Sequence, residues 1–237
     1  MPSRLPILLA SFALAANLAA ADAVPRDGLV LWFDGAHVEM KDANIEQLTD
    51  LSGKGNHAVR LPDARHVVVN PTVAKDAASG QPVLRFDGRN SSFAFREITD
   101  IRTVVWVVRK DASAFKQKQE LFVLGGAKSL DFHPGTHFTD TLTHATPQYG
   151  ARDLQEGKAW LNGAPIDPRK TDFPQKLSVI TLQANGNVRA DQVAKDRQFP
   201  DRCWHGDIAE ILLFNRPLTD AERIGVEAAL RKKYSIQ

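Results

Sequence analysis

A single cysteine, Cys203, stands among 237 residues, so no internal disulfide can form and the core alone must hold the fold. A chain of this size buries about 70% of its unfolded surface, enough to dispense with a covalent staple. Charge of one sign is also scarce. Lys plus Arg number 30 and Asp plus Glu 28, a formal +2. That is too weak a field to draw the chain onto nucleic acid or anionic lipid, and no nucleic-acid partner is expected. No period of 20 to 50 residues and no low-complexity linker is found, which excludes solenoids and tethered modules. Walker loops, dinucleotide glycine fingerprints, a Ser-His-acid arrangement and a His-Glu-x-x-His helix are missing too, and with them the commonest catalytic signatures.

What is present begins with a leader. Arg4 precedes an apolar run from Leu5 to Ala16, and small residues follow from Ala19 to Ala23. This is the pattern of a secretory signal peptide over residues 1–23, cut after Ala23 (through Ala21-Asp22-Ala23) or after Ala21. Pro6, Ser11 and Asn17 interrupt the run, and no later stretch reaches the roughly 18 apolar residues of a membrane span. One mature domain, 24–237, is therefore expected, secreted, periplasmic or at the cell surface, with no membrane span once the signal is removed. A lipoprotein would need a cysteine at the cleavage site, and none is there. Cys203, beside Trp204 and ahead of a strongly apolar run, reads as buried.

Short apolar runs between turn signals dominate the mature chain: 28–33, 67–69, 82–86, 92–96, 103–109, 120–124, 158–161, 177–183 and 208–214. Val, Ile, Phe and Trp fill them, as strands prefer, and the pattern predicts an all-β sandwich. Asn162-Gly163, between Ala159-Trp160-Leu161 and Ala164-Pro165-Ile166, predicts a two-residue hairpin turn. Thr219-Asp220-Ala221-Glu222 is a capping box, so a helix starts there, with Val226, Leu230 and Tyr234 on one stripe. Arg231, Lys232 and Lys233 read as a solvated basic cap at its carbonyl end.

Three segments carry a family resemblance: 28–34 (GLVLWFD), 50–58 (DLSGKGNHA) and 80–88 (GQPVLRFDG). With the ending at 204–223 (WHGDIAEILLFNRPLTDAER), they resemble the LamG-like, concanavalin A-like lectin/glucanase jelly-roll family. The resemblance spans most of 28–235 and implies a jelly-roll sandwich of two antiparallel sheets closed by a C-terminal α-helix. Such modules are common in secreted bacterial proteins, and fold alone does not fix their ligand. The resemblance implies a noncatalytic recognition module that binds a glycan or glycoconjugate. The alternatives are a structural or protein-binding module of the cell envelope and, further off, a divergent polysaccharide hydrolase or lyase.

The hydrolase reading needs paired carboxylates. Laminarinase-type relatives carry Glu-x-Asp-x-(x)-Glu, which Asp207-Ile208-Ala209-Glu210 only superficially resembles; His205 stands where the first Glu belongs. On a regular strand Asp207 and Glu210 point to opposite faces, although a bulge would change that. Glu210, alternating with Ile208, Leu212 and Phe214, falls on an apolar face and is expected to pair with Arg85 or Arg216.

For ligand binding, Trp32, Trp106 and Trp160 read as core, while Trp204 and His205 follow a long polar stretch, 184–202, that includes Arg189 and Arg197 and reads as a loop. His133, His137 and His144 crowd 131–144, where Pro134-Gly135 forbids the helix that would align metal ligands. No tightly bound metal is expected there. Calcium is possible through turn oxygens of Asp34, Asp50, Asn56, Asp87 and Asn90. The candidate ligand-binding residues are thus Trp204, His205, His133, His137, Arg189 and Arg197.

Overall fold

A computed structural model describes residues 23–61, 70–89, 91–114, 122–135, 139–146, 148–195, 197, 199 and 202–237. Its strands are β1 (Leu29–Asp34), β2 (Val38–Lys41), β3 (Asn44–Leu48), β4 (Ala58–Arg60), β5 (Thr72–Lys75) and β6 (Pro82–Asp87), then β7 (Phe93–Lys110) and β8 (Leu124–Gly125). After a short helix α1 (Arg152–Gln155) come β9 (Lys158–Leu161), β10 (Ala164–Ile166), β11 (Ser178–Val193), β12 (His205–Phe214) and the terminal helix α2 (Asp220–Lys233). Every strand pairing is antiparallel.

Two long strands make the sandwich. β7 and β11 pair along their whole length, but the register shifts at three points between Gln183 and Gln192. Bulges bend and twist a strand, so the pair turns from one layer into the other. The first layer runs β10-β9-β11-β7-β12-β6-β5, with β1 beside β12. The second runs β2-β3-β4-β7-β11-β8. Leu31, Trp106, Ile180 and Ile211 of the first layer meet Ile45, Leu48, Phe93 and Val193 of the second in the main core. On the outer face of the first layer, Trp32, Val105, Val107, Leu212 and Phe214 lie under Val226, Leu230 and Tyr234 of α2. The all-β sandwich with a C-terminal helix follows from this burial of both faces of one layer and the inner face of the other.

Thr219 Oγ1 accepts from the Glu222 amide while the Glu222 carboxylate accepts from the Thr219 amide, closing the capping box. Asn162 and Gly163 take φ of 50° and 88°, as a two-residue turn between β9 and β10 requires. The basic end of α2 is a correction. Lys233 is buried, not solvated, because it is drawn into the sheet by carboxylates of β1 and β12.

Three other readings change. Segments 92–96 and 103–109 are one strand, β7, whose exposed Arg96 and Glu97 interrupt the apolar pattern without interrupting the backbone. Residues 184–193 are strand and not loop, since Ala184, Val188, Ala190 and Val193 feed the core while Asn185, Asn187 and Arg189 face out. The run 67–69 lies outside the described residues, as does nearly all of the leader.

Candidate functional site

The carboxylates that a hydrolase would use are placed by β12. Ile208 pairs with Val108 and Glu210 with Val107, so Ala209 is the extra residue of a bulge. The bulge turns Asp207 and Glu210 to the same face, opposite to Ile208, which corrects the alternation expected for a regular strand. Neither Arg85 nor Arg216 pairs with Glu210. Arg216 binds Glu222 and Asp27, and Arg85 binds Asp207 through Nε at 2.8 Å, alongside Arg109 Nη2 at 2.6 Å.

Glu210 instead meets Lys233. Its Oε1 accepts from Lys233 Nζ at 2.5 Å and from the Tyr234 hydroxyl at 3.1 Å, and its Oε2 accepts from the Trp32 indole at 2.8 Å. Asp34, in register with Glu210 across β1 and β12, accepts from the same Nζ at 2.6 Å. Two acids therefore do come together, but under α2: Asp34 is 5% exposed and Glu210 1%, with no groove open to a sugar chain. Burial pushes the Glu210 carboxyl up against the pull of Lys233. For Asp34 burial acts upward too, yet the His37 hydrogen bond and the Lys233 charge take it down to about 2.

The bend in β7 and β11 leaves their four ends at the opposite, open end of the sandwich, where the connecting loops are tied together. The Gly88 amide donates to the Trp204 carbonyl, that of Asp111 to His205, and that of Phe122 to Cys203. From Phe122 a run of rings leads outward: Phe122 to His133 at 5.3 Å between centroids, His133 to His144 at 5.3 Å, His144 to Tyr149 at 5.1 Å. Tyr149 is 47% exposed. Gln155 of α1, itself buried, donates to the Thr146 and Tyr149 carbonyls and fixes the loop that carries the ring. His144 Nδ1 accepts from the Thr146 amide, and burial holds this imidazole below its ordinary value of 6.5. On the loop before β12, Phe199 is 42% exposed with the Arg197 and Arg202 guanidiniums over its ring at 4.7 and 4.4 Å.

The candidate residues from the sequence separate accordingly. Trp204 is fully buried against Phe173, which replaces the expected exposed platform with a core ring below the loops. Trp32 and Trp106 are buried as expected, whereas Trp160 is half-buried beneath the Arg223 guanidinium. His205 is half-buried at the start of β12. His133 belongs to the ring run, and Arg189 adjoins it through Asp131, whose carboxylate accepts from the Arg189 amide at 2.8 Å. Arg197 covers Phe199; His137 and Asn90 lie outside the described residues. Sequence reasoning passed over Tyr149 and Phe199, each a lone aromatic in a polar segment. The loop position of each was its one signal.

Among the calcium candidates, Asp34 is engaged by Lys233 and Asp50 by the amides of Trp32, Ser52 and Asn56. Among the described residues, no three or more His, Cys, Asp or Glu side chains gather as metal ligands. None of the described helices is long and apolar enough to cross a membrane. The chain matches no family model, no curated protein and no solved structure.

Proposed function

We propose that the chain is an exported, noncatalytic recognition module of the LamG-like kind, binding a glycan or glycoconjugate through the loops of the open end. One observation carries this reading. Six large apolar side chains are exposed among the described residues, and the two aromatic ones, Tyr149 and Phe199, both stand on loops. An exposed ring stacks on the apolar face of a sugar, and flanking polar groups such as Arg197, Arg202 and His144 supply hydrogen bonds to its hydroxyls. The ion pairing of Asp207 and the burial of Asp34 and Glu210 support a role in holding rather than cutting. The signal-like leader supports export to the periplasm, the cell surface or the medium.

The second reading, a protein-binding module of the envelope, draws on Met40 and Val59, each 52% exposed on the second layer. A glycan-array screen of the mature protein, with and without calcium, tests the first reading. Binding lost in Tyr149→Ala or Phe199→Ala supports it. An array without binding, together with retention of a defined envelope protein that Val59→Glu abolishes, moves the function to the second.

A further inference from the structure

The cluster beneath α2 holds more than neutralisation requires. One lysine needs one carboxylate; here Nζ touches two, and all three side chains are at most 5% exposed. Two ionised acids with one ammonium leave an excess of buried negative charge beside the half-exposed His37, and such charge is costly. The cluster also bridges residues 199 positions apart, from the first strand to the last helix, in a chain whose one cysteine cannot close an internal disulfide.

We propose that Lys233 and Asp34 condense to an intramolecular amide, with Glu210 carrying the protons. The amine, the carboxyl it attacks and the proton carrier are already in contact. Lys233 Nζ lies 2.6 Å from Asp34 Oδ2 and 2.5 Å from Glu210 Oε1, while Asp34 Oδ1 accepts from the Ala36 amide at 2.6 Å. The Trp32 indole and the Tyr234 hydroxyl hold Glu210 in place from its other sides. His37, whose Nδ1 is 3.8 Å from Asp34 Oδ1, is the remaining titratable group facing Asp34.

The step balances without a co-reactant. The Lys233 ammonium gives one proton to Glu210, and the freed lone pair forms a C–N bond at Asp34 Cγ. Negative charge collects on Oδ1, where the Ala36 N–H already points. Glu210 delivers that proton, and then a second one from nitrogen, to Oδ2. The C–Oδ2 bond breaks and water departs, leaving a neutral amide and Glu210 as it began. Nothing is oxidised or reduced. Condensation is disfavoured in water, but held groups reach effective concentrations of about 10⁵–10⁸ M, and a dry site lowers the cost of neutralising the ammonium and the carboxylate.

Intact mass spectrometry of the purified wild-type protein, with its N-terminal residue determined, decides the matter. The expected mass is that of the sequence less one water, and proteolysis should release a branched peptide joining the Asp34 and Lys233 segments. A mass equal to the sequence, with both segments recovered separately, overturns the proposal. Glu210→Gln keeps the size of the side chain and removes the proton carrier, so its folded form should show the full mass. A folded Glu210→Gln still lacking one water would overturn the role given to Glu210. Lys233→Arg, which keeps the charge and cannot form the link, sets the unlinked reference.

Discussion

Asp207 and Glu210, three residues apart on β12, share a face because Ala209 is bulged, yet they meet different environments. Asp207 faces two arginines that are 47% and 30% exposed, and Glu210 faces a buried lysine. The freed arginines of Asp207→Ala can turn to water, so a loss of about 1–3 kcal/mol is expected. Glu210→Ala takes from the buried Lys233 one of its two carboxylates and from the Trp32 indole and the Tyr234 hydroxyl their shared carboxylate under α2, and a loss of about 3–5 kcal/mol is expected. Urea unfolding of both variants ranks them; equal losses would contradict the difference in burial.

Gly206, the second residue of β12, takes φ of +150°, and a Cβ there would run into the Arg109 carbonyl oxygen. Backbone, not a flexible side chain, occupies that space. Gly206→Ala should therefore lower the melting temperature by more than Gly225→Ala on α2, where a Cβ meets nothing within 4 Å. Thermal unfolding of the pair gives the comparison, and Gly225→Ala should be neutral or stabilising.

Strong acid should loosen the start of α2. Glu222, bonded to Arg216 and to the Thr219 amide, is lowered from 4.5 to about 2. A depressed carboxyl contributes stability that is complete above its unfolded value and disappears as pH falls through its folded one. The contribution should fade between pH 4.5 and 2, and wild type and Glu222→Gln should converge in stability across that window. Because the pair is partly exposed, salt should shrink the effect.

His144 makes the open end sensitive at milder pH. Its folded value lies below 6.5, so on acidification the unfolded chain takes up the proton first and stability is lost as pH falls below 6.5. His144→Gln, which has no titrating group and whose amide oxygen can accept a hydrogen bond as the imidazole Nδ1 does, should lose less on passing from pH 7 to 5. A wild type that loses no more than the variant would place the imidazole in water.

The contrast between these ends of the chain shows what local pattern can carry. The capping box, the Asn162-Gly163 turn and the stripe of Val226, Leu230 and Tyr234 depend on neighbours within a few residues, and each was legible. The bulge at Ala209 was not, since an extra residue alters the facing of Glu210 without altering the run of apolar letters around it. Lys233 was misjudged for the opposite reason: lysine in a last helical turn favours water, and only the distant pairing of Asp34 with Glu210 provides a reason to bury it. β7 and the second half of β11 were divided or lost because their outward residues are polar, while small Ala184 and Ala190 give the inner face little hydrophobic signal. Tyr149 and Phe199 gain meaning only when the fold leaves their rings exposed on loops while the other large aromatics are drawn inward.

The proposed function is ligand binding through these two exposed rings. Its most direct test is the affinity of wild type, Tyr149→Ala and Phe199→Ala for the best ligand on a glycan array, measured by titration on variants shown to melt with wild type. Loss of a central aromatic anchor should weaken binding by about tenfold or more in at least one variant. Undiminished binding in both, or binding that follows Val59→Glu on the second layer instead, would contradict it.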